Sequence, residues 1–201
     1  MMKEIVVCIS PKRDEFIEFK RLMRNISEGV ESKKALTLPP HITLVHRIHT
    51  KDYSNIKKVI KDLIKQIKPF KLVFKKMGFF NDPPIIYIEP EDVSKLVDLH
   101  NLLMPKVTQF KDEWVRESFL KLKLNEKQET YLKKYGSPYV REFFNAHMTL
   151  AGPDVNPEKF KKLITQKITI KKCILTIDNI AIMRKKDNKW AIDKRINLEA
   201  I

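Results

Sequence analysis

The stretch "PHITLVHRI", residues 40–48, decides how the rest of the chain reads. It follows the turn material "LTLPP" and is dense in β-branched and aliphatic residues, the composition of a strand. Side chains alternate across a strand, so His41 and Thr43 share one face while Ile42 and Leu44 share the other. The same spelling returns in "AHMTLAGP", residues 146–153, with His147 and Thr149 on one face and Met148 and Leu150 on the other. One His-x-Thr on a strand is ordinarily structural. Its recurrence with Leu in the fourth place makes it a chemical signal.

Working outward, each motif opens the same series. Before the first lie the buried-strand pattern "KEIVVCIS" and an amphipathic helix over "DEFIEFKRLMRNISEGV", with Phe16, Phe19, Met23 and Ile26 at spacings of three and four and Gly29 as its stop. After it come the helix "YSNIKKVIKDLIKQI" and two strands, "FKLVFKKMGFF" and "IIYIEP", separated by the loop "NDPP". After the second motif come the helix "NPEKFKKLITQK", the strand-rich "ITIKKCILTIDNIAIMRKK" and a last strand "KWAIDKRI". Between the halves, "EDVSKLVDLHNLLMPKVTQF" and "NEKQETYLKKYG" read as helices, with Pro105 ending or kinking the first. The repeated order predicts an α+β fold: residues 1–201 form one domain of two pseudo-symmetric lobes, each an antiparallel sheet backed by helices. Both motifs, 41–44 and 147–150, then face a cleft between the lobes.

Composition narrows the partners. Forty Lys and Arg against 25 Asp and Glu leave a formal charge of +15, which favours nucleic acid or a phosphorylated ligand, although a biased Lys-rich composition produces the same number. The two cysteines, Cys8 and Cys173, sit in apolar strand-like runs and read as buried, reduced thiols. No apolar run has signal-peptide or membrane-spanning character, so a cytoplasmic protein without a membrane partner is expected; a monomer is expected as well. No GxxxxGK loop is present, which argues against an ATP-dependent P-loop ligase or kinase.

Two imidazoles and two hydroxyls converging on one cleft suit phosphodiester chemistry. One neutral imidazole takes a proton from the attacking water while an imidazolium gives one to the leaving oxygen. Threonine hydroxyls and backbone amides donate to the phosphate oxygens. The scheme needs no metal and no cofactor.

These residues resemble the paired motifs of the two-histidine (2H) phosphoesterase superfamily, which includes the 2'-5' RNA ligase and cyclic phosphodiesterase-like proteins. The resemblance implies a bilobal fold, metal-independent chemistry on 2',3'-cyclic phosphate or 2'-5' linked RNA ends or nucleotides, catalysis by His41 and His147, and phosphate binding by Thr43 and Thr149. Ligation, the reverse reaction, is implied with hydrolysis. "YGSPYVREFFNAHMTLAGPD" is similar to the lead into the second motif of the branch associated with phosphonate metabolism, which allows a small cyclic or ribosyl phosphate as substrate. The chain departs from the RNA-processing pattern in having Asn145-Ala146 where a proline commonly precedes the histidine. Ala151-Gly152 offers no basic side chain after the motif.

Further candidates are Tyr139 and Arg141, for base stacking or phosphate pairing in the cleft, with packing or solvent exposure as the alternative. Arg47 could reach a phosphate from the end of the motif strand, and Phe79 or Phe80 could wall the cleft or simply fill the core. His46 and His49 complete an H-x4-H-x2-H spacing with His41, but strand parity sends His41 and His46 to opposite faces unless a bulge intervenes, which argues against a metal site. His100 reads as a structural or surface helix histidine, and Lys57, Lys58, Lys61 and Lys65 as a solvated face. The competing class is a non-catalytic module that binds RNA or a phosphate ligand in the same cleft.

Overall fold

A computed structural model describes residues 2–166 and 170–199. Strand β1 (Lys3–Ile9) leads into helix α1 (Arg13–Gly29), which ends at the expected glycine. The first motif lies on β2 (Ile42–Thr50), followed by α2 (Tyr53–Leu63) and the hairpin β3 (Phe70–Asn81) and β4 (Pro84–Pro90). Helices α3 (Ser94–Thr108), α4 (Glu117–Leu120) and α5 (Glu126–Tyr135) intervene before β5 (Met148–Ala151), which carries the second motif. Helix α6 (Pro157–Thr165) and strands β6 (Cys173–Ile177), β7 (Asn179–Lys186) and β8 (Lys189–Asn197) complete the described chain. No helix among the described residues is long and apolar enough to cross a membrane.

Local chemistry explains the well-defined helix ends. Asn125 caps α5 and exchanges hydrogen bonds with Gln128, and Gly136 closes it at φ 77°, a left-handed conformation that glycine adopts without strain. Asn156 caps α6 ahead of Pro157 at its first turn. Of the two outcomes expected at Pro105, an end to α3 does not occur; the helix runs on to Thr108. Leu103, Met104 and Val107, all buried, hold the turn on either side of the proline, and their burial offsets the lost main-chain bond.

The eight strands form one antiparallel sheet in the order β6-β3-β4-β5-β2-β1-β7-β8. Consecutive halves of the chain do not form separate sheets. The hairpin that follows the first motif joins the second motif's strand through β4, and the β7–β8 pair that follows the second motif joins the first through β1. The two halves of the sheet meet where Ile42 pairs with Met148. Order along the chain predicts the elements but not the edge each hairpin joins, because that pairing is long-range.

Helices α1, α2 and α3 cover one face of the sheet. Phe19 and Met23 of α1, Ile56 and Ile60 of α2, and Leu99 and Leu103 of α3 pack against Ile5, Ile42, Leu44, Met148 and Leu150. Each such side chain stabilises the fold by ~1.5–3 kcal/mol when removed from water. Burying Ile42, Leu44, Met148 and Leu150 on this face turns the intervening threonines to the other.

Candidate active site

The motif strands are neighbours at the centre of the sheet. With Ile42 opposite Met148 in antiparallel register, Thr43 lies beside His147 and His41 beside Thr149, all four on the face away from the helices. The four side chains are half-buried, whereas Ile42 and Met148 are fully buried.

Both imidazoles are anchored in the same way. His41 Nδ1 lies 2.8 Å from the Pro39 carbonyl oxygen, and His147 Nδ1 lies 2.9 Å from that of Asn145, each two residues back along the chain. A carbonyl only accepts, so Nδ1 carries the proton in both rings and Nε2 is left to exchange protons. Burial pushes both histidines below the ordinary imidazole range, and His41 is pushed further by the charge of His147. The carbonyl bonds oppose this, as does Glu89 on His147. Glu89 follows Ile88, which pairs with Met148, so it stands across from His147.

An aromatic wall stands beside His147. The rings of Tyr87 and Phe80 lie 5.0 and 5.2 Å from the imidazole and 4.6 Å from each other. Tyr87 pairs across the hairpin with Gly78, and its ring occupies the space that a side chain there would fill. Phe79 points the other way, edge-on to Phe160 of α6.

The parity reading of β2 needs correction. Cys8 pairs with Thr43, Val7 with Val45 and Ile5 with Ile48, so β2 carries an extra residue at each of two steps. Leu44 and Val45 are both buried, while His46 and Arg47 are both half-buried opposite Val6. The bulges therefore return His46 to the face of His41 and Thr43. Burial, with the charges of His100, His147 and Arg116, pushes His46 down to about 3, so it stays neutral near pH 7. Among the described residues, no group of three His, Cys, Asp or Glu is arranged to hold a metal ion.

Of the remaining candidates, Tyr139 reaches this region. Its ring is 6.4 Å from His46 and 5.7 Å from Phe119, whose own ring is 6.1 Å from His46. Arg141 is not brought to the histidine pair: its guanidinium donates to Asn101 Oδ1 at 3.3 Å, on the α3 side. His100 is fully buried and structural, the first of the two readings open to it from the sequence. Its Nδ1–H donates to the Leu44 carbonyl at 2.7 Å, and Nε2 accepts from the Arg141 N–H at 3.1 Å, tying one motif strand to the lead of the other. Cys8, beside Thr43, is a fully buried thiol pushed up to about 12, and no nucleophile.

Sequence reasoning passed over Tyr87, Glu89 and the placement of His46. The pairing of β4 with β5 that brings the first two to His147 leaves no local signal, but the two adjacent buried residues Leu44-Val45 break the alternation of β2 and mark its first bulge.

Solved structures with this fold include E. coli LigT complexed with 3'-AMP, at TM-score 0.57 and 13% identity over 100% of both chains. E. coli LigT complexed with ATP matches at TM-score 0.53 and 12% identity over 99% of both. TT0787 of Thermus thermophilus matches at 0.56 and 14% over 97% of both. No curated protein matches by sequence. The family model of the 2'-5' RNA ligase superfamily matches residues 14–186, spanning both His-x-Thr strands, and the chain belongs to that superfamily.

Proposed function

We propose that this protein is a phosphodiesterase that acts on 2',3'-cyclic phosphates or 2'-5' linkages at RNA ends or on nucleotides. His41 and His147 serve as its acid-base pair, and Thr43 and Thr149 as donors to the phosphate. The observation that carries the reading is the matched anchoring of the two rings. Each has Nδ1 tied to the carbonyl two residues back, leaving an Nε2 free for proton exchange on each of two paired strands. Both motifs then serve one site.

In hydrolysis, Nε2 of one neutral imidazole takes a proton from water as its oxygen bonds to phosphorus. Nε2–H of the other, protonated, gives its proton to the ribose oxygen as the P–O bond breaks. One ring gains a proton and the other loses one, and exchange with solvent restores both. The threonine hydroxyls hold the phosphate oxygens as charge builds on them. With the 5'-hydroxyl of a second RNA end in place of water, the same steps form its P–O bond, break the bond to the ribose oxygen of the cyclic phosphate and so join the two ends. LigT, of the same fold, has been captured with 3'-AMP, which carries the phosphate that opening of a 2',3'-cyclic adenosine phosphate can leave.

The test is turnover of short RNAs ending in 2',3'-cyclic phosphate, with EDTA present, by wild type and by His41→Ala and His147→Ala. Each substitution is expected to lower the rate by ~10²–10⁴-fold, the size of one general acid or base contribution. Full activity in either variant would refute the pair. Salt-sensitive binding without turnover would favour the binding-module reading. Turnover of a small ribosyl cyclic phosphate alone would move the substrate to the phosphonate-associated branch.

A further inference from the structure

The second motif brings no cation of its own, and the backbone forbids one at the end of β5. Gly152 sits at φ 111°, and a Cβ there would lie 2.3 Å from the Pro84 carbonyl oxygen. Positive charge near the site comes instead from the far side of His46. Arg116 is exposed, with its guanidinium carbon 5.4 Å from the centre of the Phe119 ring. That ring in turn lies 6.1 Å from His46. Arg47, which follows His46 on the same face because of the second bulge, lies 5.0 Å from the Trp190 ring and bonds Glu4 at 3.0 Å.

Glu4 is the shared counter-ion. It also lies 3.6 Å from Lys185 Nζ and 3.9 Å from His49 Nε2, and that nitrogen is buried without a hydrogen-bond partner among the described residues. The other carboxylate acting nearby, Asp82, acts on Tyr139. Burial and then the charge of Arg47 lower the pKa of Arg116, and Glu4 and Tyr139 only partly oppose this. Two guanidiniums and an ammonium against Glu4 and Asp82 still leave this patch net positive, bordered by the stacking surfaces of Phe119 and Tyr139.

We propose that Arg116 and Arg47 form a second anion subsite that takes the phosphodiester next to the one the histidines act on. The protein would then select a strand end over a mononucleoside cyclic phosphate. This rests on the phosphodiesterase reading above for its substrate, but not for its binding test. A guanidinium suits the role because it pairs with phosphate through two parallel N–H bonds and stays charged when partly desolvated.

The experiment compares kcat/KM for adenosine 2',3'-cyclic phosphate with that for the adenosine dinucleotide ending in 2',3'-cyclic phosphate. The same dinucleotide with a neutral methylphosphonate linkage and a 5'-phosphorylated mononucleoside cyclic phosphate complete the set. The charged dinucleotide is expected to be favoured about ten-fold over the mononucleotide, the worth of one charge-assisted contact. Arg116→Gln and the methylphosphonate should each remove that ratio, which a general loss of folded enzyme would not. An unchanged ratio in Arg116→Gln overturns the subsite. A gain with the 5'-phosphorylated mononucleotide and none with the dinucleotide overturns the strand assignment. If wild type turns over none of these, the phosphodiesterase reading fails, and the subsite is judged by titrating the 3'-phosphorylated dinucleotide against salt. Arg116→Gln should then reduce the slope of log Kd on log salt by ~0.7, one phosphate contact on a single strand. An unchanged slope would refute it.

Discussion

The ring of Tyr87 lies across the backbone of Gly78, where a Cβ would come within 2.5 Å of ring carbons. The pair exists because β3 and β4 place the two residues directly opposite, and only a residue without a side chain admits the ring. Tyr87 is thereby held 5.0 Å from His147. Gly78→Ala should displace the tyrosine, costing ~1–3 kcal/mol of stability from overpacking and lowering turnover. In Tyr87→Ala the same glycine substitution should be nearly neutral. Urea unfolding of the two single variants and the double variant reads the coupling. Simple additivity would mean the contact does not hold the ring.

The pH profile of turnover should be bell-shaped with its maximum on the acid side of neutrality. One imidazole must be charged and the other neutral, and burial depresses both. Glu89 favours the charged form of His147. Glu89→Gln removes that support, so the limb of the profile that His147 governs should move to lower pH. A profile of kcat/KM from pH 4 to about 9 checks this, and an upward shift would contradict the facing of Glu89 and His147.

Acid should destabilise the fold earlier than carboxylate protonation alone requires. His41, His46, His100 and His147 are all depressed, chiefly by burial, with His46 at about 3. The unfolded chain takes up protons on these groups below pH ~6.5 while the folded chain refuses them. Their contribution is therefore complete above pH ~6.5 and lost progressively down to the folded values, His46 last, at about 3. Urea midpoints at pH 7.5 and pH 5 should differ, and His46→Gln should narrow the gap. Equal midpoints in wild type would refute the burial of these rings.

His100→Leu should cost ~2–4 kcal/mol, because it leaves the Leu44 carbonyl and the Arg141 N–H unpaired in the interior. Chemical denaturation measures it. A loss below ~1 kcal/mol would show that both groups find other partners.

Lys20 secures the approach to His41, donating to the carbonyls of Leu36 and Leu38 at 2.6 and 2.8 Å, just before Pro39. Burial and the neighbouring Arg24 lower its pKa, so the carbonyl bonds hold an ammonium in an unfavourable place. Lys20→Met should free residues 36–39, loosen the Pro39 carbonyl from His41 and reduce kcat more than KM. Amide exchange across the segment together with steady-state kinetics tests this. An effect on KM alone would assign Lys20 to substrate binding instead.

The sequence by itself determined which elements form and which residues are put forward for the chemistry. Alternation around Ile42 and Met148 predicts two strands with His-Thr faces, and the stripes of Phe19, Met23, Ile56 and Ile60 predict the helices behind them, because both patterns are written in spacings of two to four residues. Only the tertiary structure decided what the site is made of. That the hairpin after the first motif pairs with the second, bringing Tyr87 and Glu89 to His147, depends on contacts far apart in sequence. The return of His46 and Arg47 to the face of His41 and Thr43 depends on how β2 pairs with β1. Strand pairing is settled by burial of the whole apolar face at once, so no local window of sequence contains it.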